Sequence, residues 1–451
     1  MSEKTSTGPP ADLILANASI LDGDGRFFEG RHIVIRDGRV VAVVPAAGGS
    51  PASSGTLAAD GRPAEVVDCT GYIVTPGLTV LHGHAPMVLF RGLAEDVSID
   101  DWFNLRIWPY ESRLTEEDVR AGARLAIAEM LECGVTAFAD HYMFTDAIAD
   151  AVLESGIRAD LAQTIFGLGE GVEERIEAGA DLIRRRRGDS PRLTFRMGPH
   201  APYTCPPPVL AAVAAKAREL GVGLHIHVSE TEAQVKASLA SLGVTPFAAL
   251  AAAGGFDLPV IIAHGLWVRE DDLPFLTPDT WFAASPKTYM KLAMGEGGLW
   301  PLRHRLQIAA GTDGAASSNT LSPLEQIRLW SLVGKHSTGD STLFTLREAW
   351  SLLMNGHKAL GTNTGAVAPG RDADLVVWDL QQPNTSPVHD PLASILYSAG
   401  SRNVRDVLVQ GQFLKRDHRL VTLDVQPIVR EAAAAARRLV ESGPGQATVT
   451  Y

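Results

Sequence analysis

The sequence predicts an α/β protein: a (β/α)8 barrel with a small β-sandwich domain built from both ends of the chain. Three observations support this prediction. Apolar strand-like runs alternate with amphipathic helices roughly eight times between about residues 74 and 365. The regions on either side contain short strands and little helix. The chain has 451 residues, 45% of them hydrophobic, which is enough for one large domain with an appendage or for two domains.

The first 73 residues divide into a tail and a β unit. Residues 1–11 are polar and lack the apolar core of a signal peptide, so they are predicted to be disordered. Residues 12–73 form the first part of the β-sandwich. Its clearest element is a hairpin in which two β-branched runs flank Asp37 and Gly38, a strong turn signal. The Gly/Pro/Ser-rich stretch 46–63 is predicted to be a long loop.

The barrel is predicted over residues 74–365. The apolar run 72–80 indicates one buried strand that leads into it. Further strands are predicted at 135–140, 158–166, 192–199, 223–227, 259–264, 281–285 and 306–312. Helices are predicted at 117–133, 145–155, 173–187 and 206–220, with Thr145 as an N-cap. Residues 366–425 then complete the β-sandwich, and residues 426–451 form a C-terminal helix and tail.

Composition narrows the class of partner and the compartment. The net charge is −12, whereas a nucleic-acid-binding surface is basic. No uninterrupted apolar run reaches membrane-spanning length. The three cysteines are too widely spaced for a disulfide framework or a thiolate zinc site. We therefore predict a cytoplasmic protein that binds a small molecule and has no nucleic-acid or membrane partner. A homo-oligomer is compatible with the sequence.

Metal-binding residue types follow the predicted barrel strands in a fixed order. His82 and His84 come after the first strand, His227 and His264 end two later strands, and Asp313 follows the last. In a (β/α)8 barrel these positions all face one mouth. Three imidazoles and a carboxylate suit Zn²⁺ or Fe²⁺ with one position open for water. A single histidine at a strand end is more often structural, but the ordered set indicates a metal centre.

Such a centre has a defined chemistry. A bound divalent cation lowers the pKa of its water to about 7, which supplies hydroxide at neutral pH. Glu230 stands three residues after His227, where a general acid/base could act, although a lone loop carboxylate is usually just solvated. Asp313 could both bind the metal and accept the proton of the water.

Several segments together resemble a known family. They are 75–78 (TPGL), 82–87 (HGHAPM), 91–96 (RGLAED), 198–203 (GPHAPY), 227–231 (HVSET), 263–264 (AH), 311–317 (GTDGAAS) and 370–377 (GRDADLVV). They resemble the amidohydrolase superfamily, specifically its S-adenosylhomocysteine/methylthioadenosine deaminase branch, which is close to chlorohydrolases and guanine deaminases. The resemblance covers about residues 12–440. It is highly specific for fold and superfamily and less so for substrate.

The resemblance implies roles for individual residues. The metal ligands would be His82, His84, His227 and Asp313. Glu230 would be the proton shuttle, and His264 would polarise or orient the attacked centre. Trp102, Glu111 and His200 match positions that contact the nucleoside, and Ser317 is a further candidate. Relatives with two metals bridge them through a lysine on a middle strand, and no lysine occurs between Lys4 and Lys216, which supports a single ion.

Two departures from the branch affect the substrate pocket. The segment His-Asn-Pro-x-Ser-Asn-x-Lys that usually precedes the last strand is replaced by residues 284–292 (ASPKTYMKL), which introduce Lys287 and Tyr289. An arginine expected on the third-strand loop is replaced by Gln163. Because lost polar partners penalise the substrate that needed them, the reacting group could be kept while the rest of the substrate differs.

Three functions are compatible with these patterns. The first is a hydrolytic deaminase of an adenosine or purine-type heterocycle, in which metal hydroxide attacks the ring carbon and ammonia leaves. The second keeps the site but takes guanine, a pterin, a cytosine-like ring or an s-triazine, including dechlorination. The third is a non-catalytic scaffold, against which the complete ligand set argues. The His-x-Glu and Pro-Cys-x-x-Cys pattern of cytidine-type deaminases is missing.

Overall fold

The computed structural model describes residues 13–46 and 64–443. The predicted disordered tail 1–11 and nearly all of the predicted loop 46–63 lie outside the described residues. Five strands precede the barrel: β1 (Leu13–Leu21), β2 (Phe27–Arg36), β3 (Arg39–Pro45), β4 (Glu65–Asp68) and β5 (Ile73–Pro76). The predicted hairpin joins β2 and β3 as an antiparallel pair. Asp37 and Gly38 have φ of 49° and 75°, as a two-residue turn that matches strand twist requires.

Eight parallel strands then form the barrel: β6 (Leu78–Val80), β7 (Val135–Tyr142), β8 (Arg158–Ile165), β9 (Leu193–Pro199), β10 (Leu224–Val228), β11 (Val260–His264), β12 (Thr280–Ala284) and β13 (Ile308–Ala310). Each pairs with its neighbour in chain order. Between the last and first strands, the Leu81 N–H donates to the Ala310 carbonyl at 2.7 Å. The predicted barrel is confirmed.

Four strands follow: β14 (Leu375–Trp378), β15 (Val404–Val409), β16 (Gln412–Arg416) and β17 (Arg419–Leu420). They join the N-terminal strands in one nine-stranded sheet of order β17-β16-β15-β14-β5-β1-β2-β3, in which β4 pairs with β1. The joint is the antiparallel pair of β14 and β5. As predicted, the two ends of the chain combine beside the barrel. The division into domains at 73/74, 365/366 and 425/426 stays a prediction.

The predicted single strand 72–80 is wrong, because the run divides at Gly77. Residues before it form β5 in the nine-stranded sheet, and residues after it form β6 in the barrel. A Cβ at Gly77 would lie 2.0 Å from Thr136 Oγ1, so only glycine fits where the chain passes from one sheet to the other. Both halves are buried, so apolarity alone did not reveal the break.

The helices of the described chain are α1 (Ile99–Asp101), α2 (Trp108–Glu111), α3 (Glu116–Glu132), α4 (Thr145–Ser155), α5 (Val172–Arg186), α6 (Pro207–Leu220), α7 (Glu232–Leu242), α8 (Pro246–Ala252), α9 (Pro286–Lys291), α10 (Leu299–Leu302), α11 (Ala315–Ser318), α12 (Pro323–Thr338), α13 (Leu346–Ala359), α14 (Pro391–Ala393) and α15 (Val425–Glu441). The predicted N-cap of α4 is wrong. The cap is Phe144 at φ 52°, and the Thr145 hydroxyl donates to the Tyr142 carbonyl instead.

No single helix among these is long and apolar enough to cross a bilayer, whereas α7 and α8 pass that test only as a pair bent by 54°.

A buried ion cluster attaches the nine-stranded sheet to one end of the barrel. Arg158, the first residue of β8, donates to Asp374 at 2.6 Å and to Asp372 at 2.9 Å. Because Arg158 begins its strand, this cluster lies at the amino-terminal end of the barrel, where contacts stabilise the fold. Functional residues of such a barrel are expected at the opposite end, where the strands finish.

Candidate metal centre and substrate cavity

The four predicted ligands meet at the carboxyl ends of the barrel strands. The Nε2 atoms of His82 and His84 lie 3.6 Å and 3.4 Å from Asp313 Oδ1. The Nε2 atoms of His84 and His227 are 3.3 Å apart. Two donor triplets fall within 4.8 Å, His82–His84–Asp313 and His82–His227–His264. The sequence order therefore corresponds to one compact cluster.

Backbone contacts rather than a regular strand hold the first two ligands. β6 ends at Val80, so His82 and His84 lie in the segment that follows the strand, as the sequence order indicated. The His82 carbonyl accepts the N–H groups of Thr312 and Asp313 at 2.9 Å and 3.1 Å, which ties the first ligand segment to the last. Asp313 has φ of 56°, a conformation rare for a residue with a side chain and common at functional sites.

Each ligand histidine is oriented through its other ring nitrogen. Nδ1 of His84 lies 2.6 Å from the His141 carbonyl, and Nδ1 of His227 lies 2.9 Å from the His200 carbonyl. These contacts leave both Nε2 atoms free to face the cluster, as is usual for metal-binding histidines.

His82 and Asp313 are held by side chains instead. Nδ1 of His82 lies 2.9 Å from Nε2 of His225. Asp313 Oδ2 accepts the hydroxyls of Ser317 at 2.6 Å and Thr288 at 3.1 Å, so its Oδ1 remains directed at the imidazoles. Ser317 therefore positions the carboxylate of Asp313, a predicted ligand.

Charge and burial fit a divalent cation. Burial lowers the pKa of His82 to about 3 and also lowers the pKa values of His84 and His227, so the rings are neutral and can offer lone pairs. Burial by itself would raise the pKa of Asp313, but the nearby imidazoles hold it below its usual value. Nε2 of His82 is buried without a hydrogen-bond partner among the described residues. Both donor triplets include His82, so they share one residue.

Glu230 and His264 stand beside the cluster as a pair. Glu230 Oε1 lies 3.6 Å from His264 Nε2, and its side chain is 16% exposed. Gln234, in the first turn of α7, donates to Glu230 Oε2 at 3.4 Å. His264 ends β11 with φ of 65°. The structure thus brings Glu230 next to the metal-ligand positions with one face open to solvent.

A cavity of about 320 Å³ leads to the cluster. His84, His227, Asp313, Glu230 and His264 form part of its wall. Of the residues predicted to contact substrate, Trp102, Glu111 and His200 line it. Glu111 is 4% exposed and accepts the Tyr142 hydroxyl at 2.6 Å. The wall thus combines the metal-ligand cluster with a buried carboxyl group.

The other predicted substrate contacts lie outside the cavity lining. Gln163 accepts the Thr145 N–H at 3.2 Å. Lys287 pairs with Glu325 at 2.9 Å. Tyr289 is buried, its hydroxyl accepts the Ser285 N–H, and its ring packs 5.7 Å from that of His264. Ser317 is bound to Asp313. None of these four side chains lines the cavity, and their contact with substrate stays a prediction.

Several residues at the cavity and the cluster were not predicted from the sequence. Phe103, Phe166, Tyr203 and Gln234 line the cavity, and Thr288 contacts Asp313. Phe166 follows the end of β8 directly, so an aromatic residue after a barrel strand was the available signal. Phe103 belongs to a π-helical turn, Trp102–Ile107, whose irregular period gave no such signal.

Glu111 should make stability depend on pH. Burial raises its pKa to about 7 despite the Tyr142 hydrogen bond, from an ordinary 4.5. Since the folded value lies above the unfolded one, the protonated group stabilises the fold fully below about pH 4.5 and loses this contribution as the pH rises through about 7. The full loss of free energy of unfolding is about 3 kcal/mol, because each pKa unit corresponds to about 1.4 kcal/mol.

The test compares thermal midpoints of the parent and Glu111→Gln at about pH 5 and about pH 8. The variant stays neutral, so it should gain on the parent at the higher pH. Asp140, whose pKa burial also raises to about 7, titrates in both proteins and cancels. An identical midpoint difference at both pH values would contradict the raised pKa of Glu111.

Comparison with known proteins agrees with this site. A model of the amidohydrolase family matches residues 73–414. A 5-methylthioadenosine/S-adenosylhomocysteine deaminase from Desulforudis audaxviator is 38% identical over 95% of this chain and 99% of its own. A 5′-deoxyadenosine deaminase from Methanosarcina mazei is 37% identical over the same shares. The crystal structure of an adenosine deaminase from Xanthomonas campestris with bound zinc superposes with a TM-score of 0.88 at 29% identity, covering 96% of this chain and 99% of that one. With its barrel, its strand-end cluster of histidines and Asp313, and this match over most of its length, the chain belongs to the amidohydrolase family.

Proposed function

We propose that this protein is a metal-dependent hydrolase that deaminates an adenosine-type purine, acting on the carbon–nitrogen bond of a cyclic amidine. The observation that carries the proposal is the buried cluster of three imidazoles and one carboxylate with Glu230 beside it in a cavity wall. Both relatives described above are named as deaminases of adenosine derivatives, which supports the same reaction here.

The metal would be held by His82, His84, His227 and Asp313, and zinc is the ion we propose because the Xanthomonas campestris structure contains it. When bound, a divalent ion in such a site acidifies a water molecule and so supplies a nucleophile at neutral pH. The hydrogen bonds on the far side of each ligand fix where the donor atoms point, so this chain presents a preformed site.

Glu230 is the proton carrier of the proposed reaction. Glu230 lines the cavity together with His84, His227 and Asp313 of the cluster. We assign it the transfer of a proton from water to that nitrogen and later to the leaving ammonia. His264, 3.6 Å away, orients the attacked centre, and Asp313 is the second group able to accept the proton of the water.

Trp102, Glu111 and His200 are the proposed nucleoside contacts. Trp102 donates its indole N–H to the Ala316 carbonyl at 3.3 Å, which fixes an aromatic surface in the wall. Glu111 offers a buried carboxyl group whose second oxygen could accept hydroxyl groups of a sugar. Nδ1 of His200 lies 2.9 Å from the Thr204 hydroxyl, which fixes the orientation of its ring.

The test is ammonia release from the zinc-loaded protein on a panel of nucleosides, free purines, pterins and s-triazines. We expect the highest kcat/KM among 5′-substituted adenosines. Release of ammonia or chloride only from guanine, pterins or triazines would contradict the adenosine assignment. The assignment as a hydrolase would still stand. Absence of turnover on every compound, with metal bound, would contradict the enzyme itself.

We also propose that the protein acts in the cytoplasm on small molecules alone. The cysteines Cys69, Cys133 and Cys205 are all free, which suits a reducing compartment. The net charge of −12 disfavours a nucleic-acid partner. Homo-oligomer formation stays a prediction.

A further inference from the structure

Away from the metal ligands, the cavity wall is rich in apolar and aromatic side chains. Ile99, Trp102, Phe103, Met143, Phe166 and Leu292 all line it. Such a wall favours ligand groups that lose little hydration on entering. The part of a substrate that lies beyond the reacting ring therefore meets a largely apolar surface.

Among the acidic and basic side chains, the wall contains only acidic ones. Asp100, Glu111, Glu230 and Asp313 contribute carboxyl groups, whereas no lysine or arginine from the described part of the chain lines the cavity. Beyond the metal ion proposed for the cluster, an anionic group entering the cavity would meet carboxyl groups and no cationic side chain of the described residues.

Arg106, on the π-helical turn, is exposed and does not line the cavity, and two other cationic side chains near the wall have their donors engaged elsewhere. The Arg175 guanidinium donates to the carbonyls of Phe166, Leu168 and Glu170, each at 2.8 Å. Lys291, next to the lining residue Leu292, pairs with Glu95 at 2.7 Å.

The two positions that depart from the family pattern, Lys287 and Gln163, do not supply a free cation either. Lys287 is paired with Glu325. Gln163, at the position where the family resemblance led us to expect an arginine, is neutral and bound to the Thr145 backbone. Supplying a cation from any of these residues would require breaking an existing contact.

We propose that the substrate is an adenosine whose 5′-substituent carries no negative charge, such as 5′-methylthioadenosine or 5′-deoxyadenosine, and that S-adenosylhomocysteine is a poor substrate. This inference rests on the proposed function. The sugar is attached to the purine on the side away from the carbon that bears the amino group. With that carbon at the metal-ligand cluster, the 5′-substituent extends into the apolar part of the cavity.

The names of the two relatives described above contain substrates whose 5′-groups differ in charge. One is named for both 5-methylthioadenosine and S-adenosylhomocysteine, whose amino-acid group ends in a carboxylate. The other is named for 5′-deoxyadenosine, which has only hydrogen at the same position. A carboxylate buried here would lose its water without gaining a cation, at a cost that an uncharged 5′-group avoids.

The experiment separates charge from size. It compares kcat/KM for 5′-methylthioadenosine, 5′-deoxyadenosine, S-adenosylhomocysteine and the aminopropylthio analogue, which keeps the thioether chain and amino group of S-adenosylhomocysteine but lacks the carboxylate. We expect S-adenosylhomocysteine to fall at least about 100-fold below the analogue. Similar values for these two compounds would overturn the inference and leave the proposed deaminase intact. Failure of all four nucleosides would refute the proposed function, and this inference with it.

A pair of variants tests the electrostatic cause. Asp100 is exposed at the cavity wall, so Asp100→Asn removes one negative charge and Asp100→Lys reverses it with little risk to folding. The ratio of kcat/KM for S-adenosylhomocysteine to that for 5′-methylthioadenosine should rise from the parent through Asn to Lys. The gain should shrink at high ionic strength, because salt screens exposed charges. The same ratio in all three proteins would overturn the electrostatic explanation.

Discussion

Replacement of His227 by alanine is expected to remove the bound metal and with it all deaminase activity. His227 Nε2 lies 3.3 Å from His84 Nε2, so its ring is an integral part of the donor cluster. The loss of a residue that only orients a metal ligand already lowers metal affinity about 10–100-fold. The loss of a ligand itself should exceed that range, because the three remaining donors leave the ion open on one side.

The measurement is metal content per chain after dialysis, together with ammonia release. His336→Ala is the matched control, since it removes an exposed histidine on α12 that is far from the cluster in the fold. The control should keep one ion per chain and full turnover. An equimolar ion and full turnover in His227→Ala would show that the cluster is not the metal site. Two tightly bound ions per parent chain would contradict the single-ion centre, which depends on His82 having one free ring nitrogen.

The ligand positions could be predicted because a barrel converts sequence order into spatial convergence. Once His227 and Asp313 are assigned to strand ends, parallel pairing places them at one mouth whatever the length of the helices between them. The predicted ligand positions therefore remained correct in placement although the predicted strand 72–80 was wrong. His82 and His84 still reach the cluster from the segment after Val80, because backbone hydrogen bonds from Thr312 and Asp313 hold that segment.

The substrate side could not be predicted in the same way. Lys287 and Gln163 occupy positions that a linear comparison identifies, but their side chains turn toward Glu325 and the Thr145 backbone rather than the cavity. The direction of a side chain depends on partners that are distant in sequence, and no period in the chain encodes it. Trp102 and Phe103 lie on a π-helical turn over the cavity, where spacing rules for helices and strands do not apply.

Glu230→Gln is expected to keep the metal and to slow turnover by about 10²–10⁴-fold, the usual contribution of a general acid/base. Glu230 Oε1 contacts His264 rather than the four ligand positions, so the amide should not disturb the donor cluster. Glutamine preserves the shape of the side chain and its contact with Gln234, but it cannot take a proton from water and deliver it to a ring nitrogen. The loss should therefore appear in kcat, with little change in the affinity for substrate.

Metal content and steady-state kinetics on the best adenosine substrate decide among three assignments of Glu230. Retained metal with a large fall in kcat is the result expected of a proton carrier. Loss of the metal would make Glu230 a ligand and would mean that the 3.6 Å contact with His264 is replaced in the metal-bound protein. Retained metal with full turnover would move the proton transfer to His264 or Asp313, and His264→Asn, which keeps a polar group of similar reach, would then separate these two. If His264→Asn also kept full turnover, Asp313 would have to serve both as ligand and as base, the double role that its two oxygens allow, one facing the imidazoles and one held by Ser317 and Thr288.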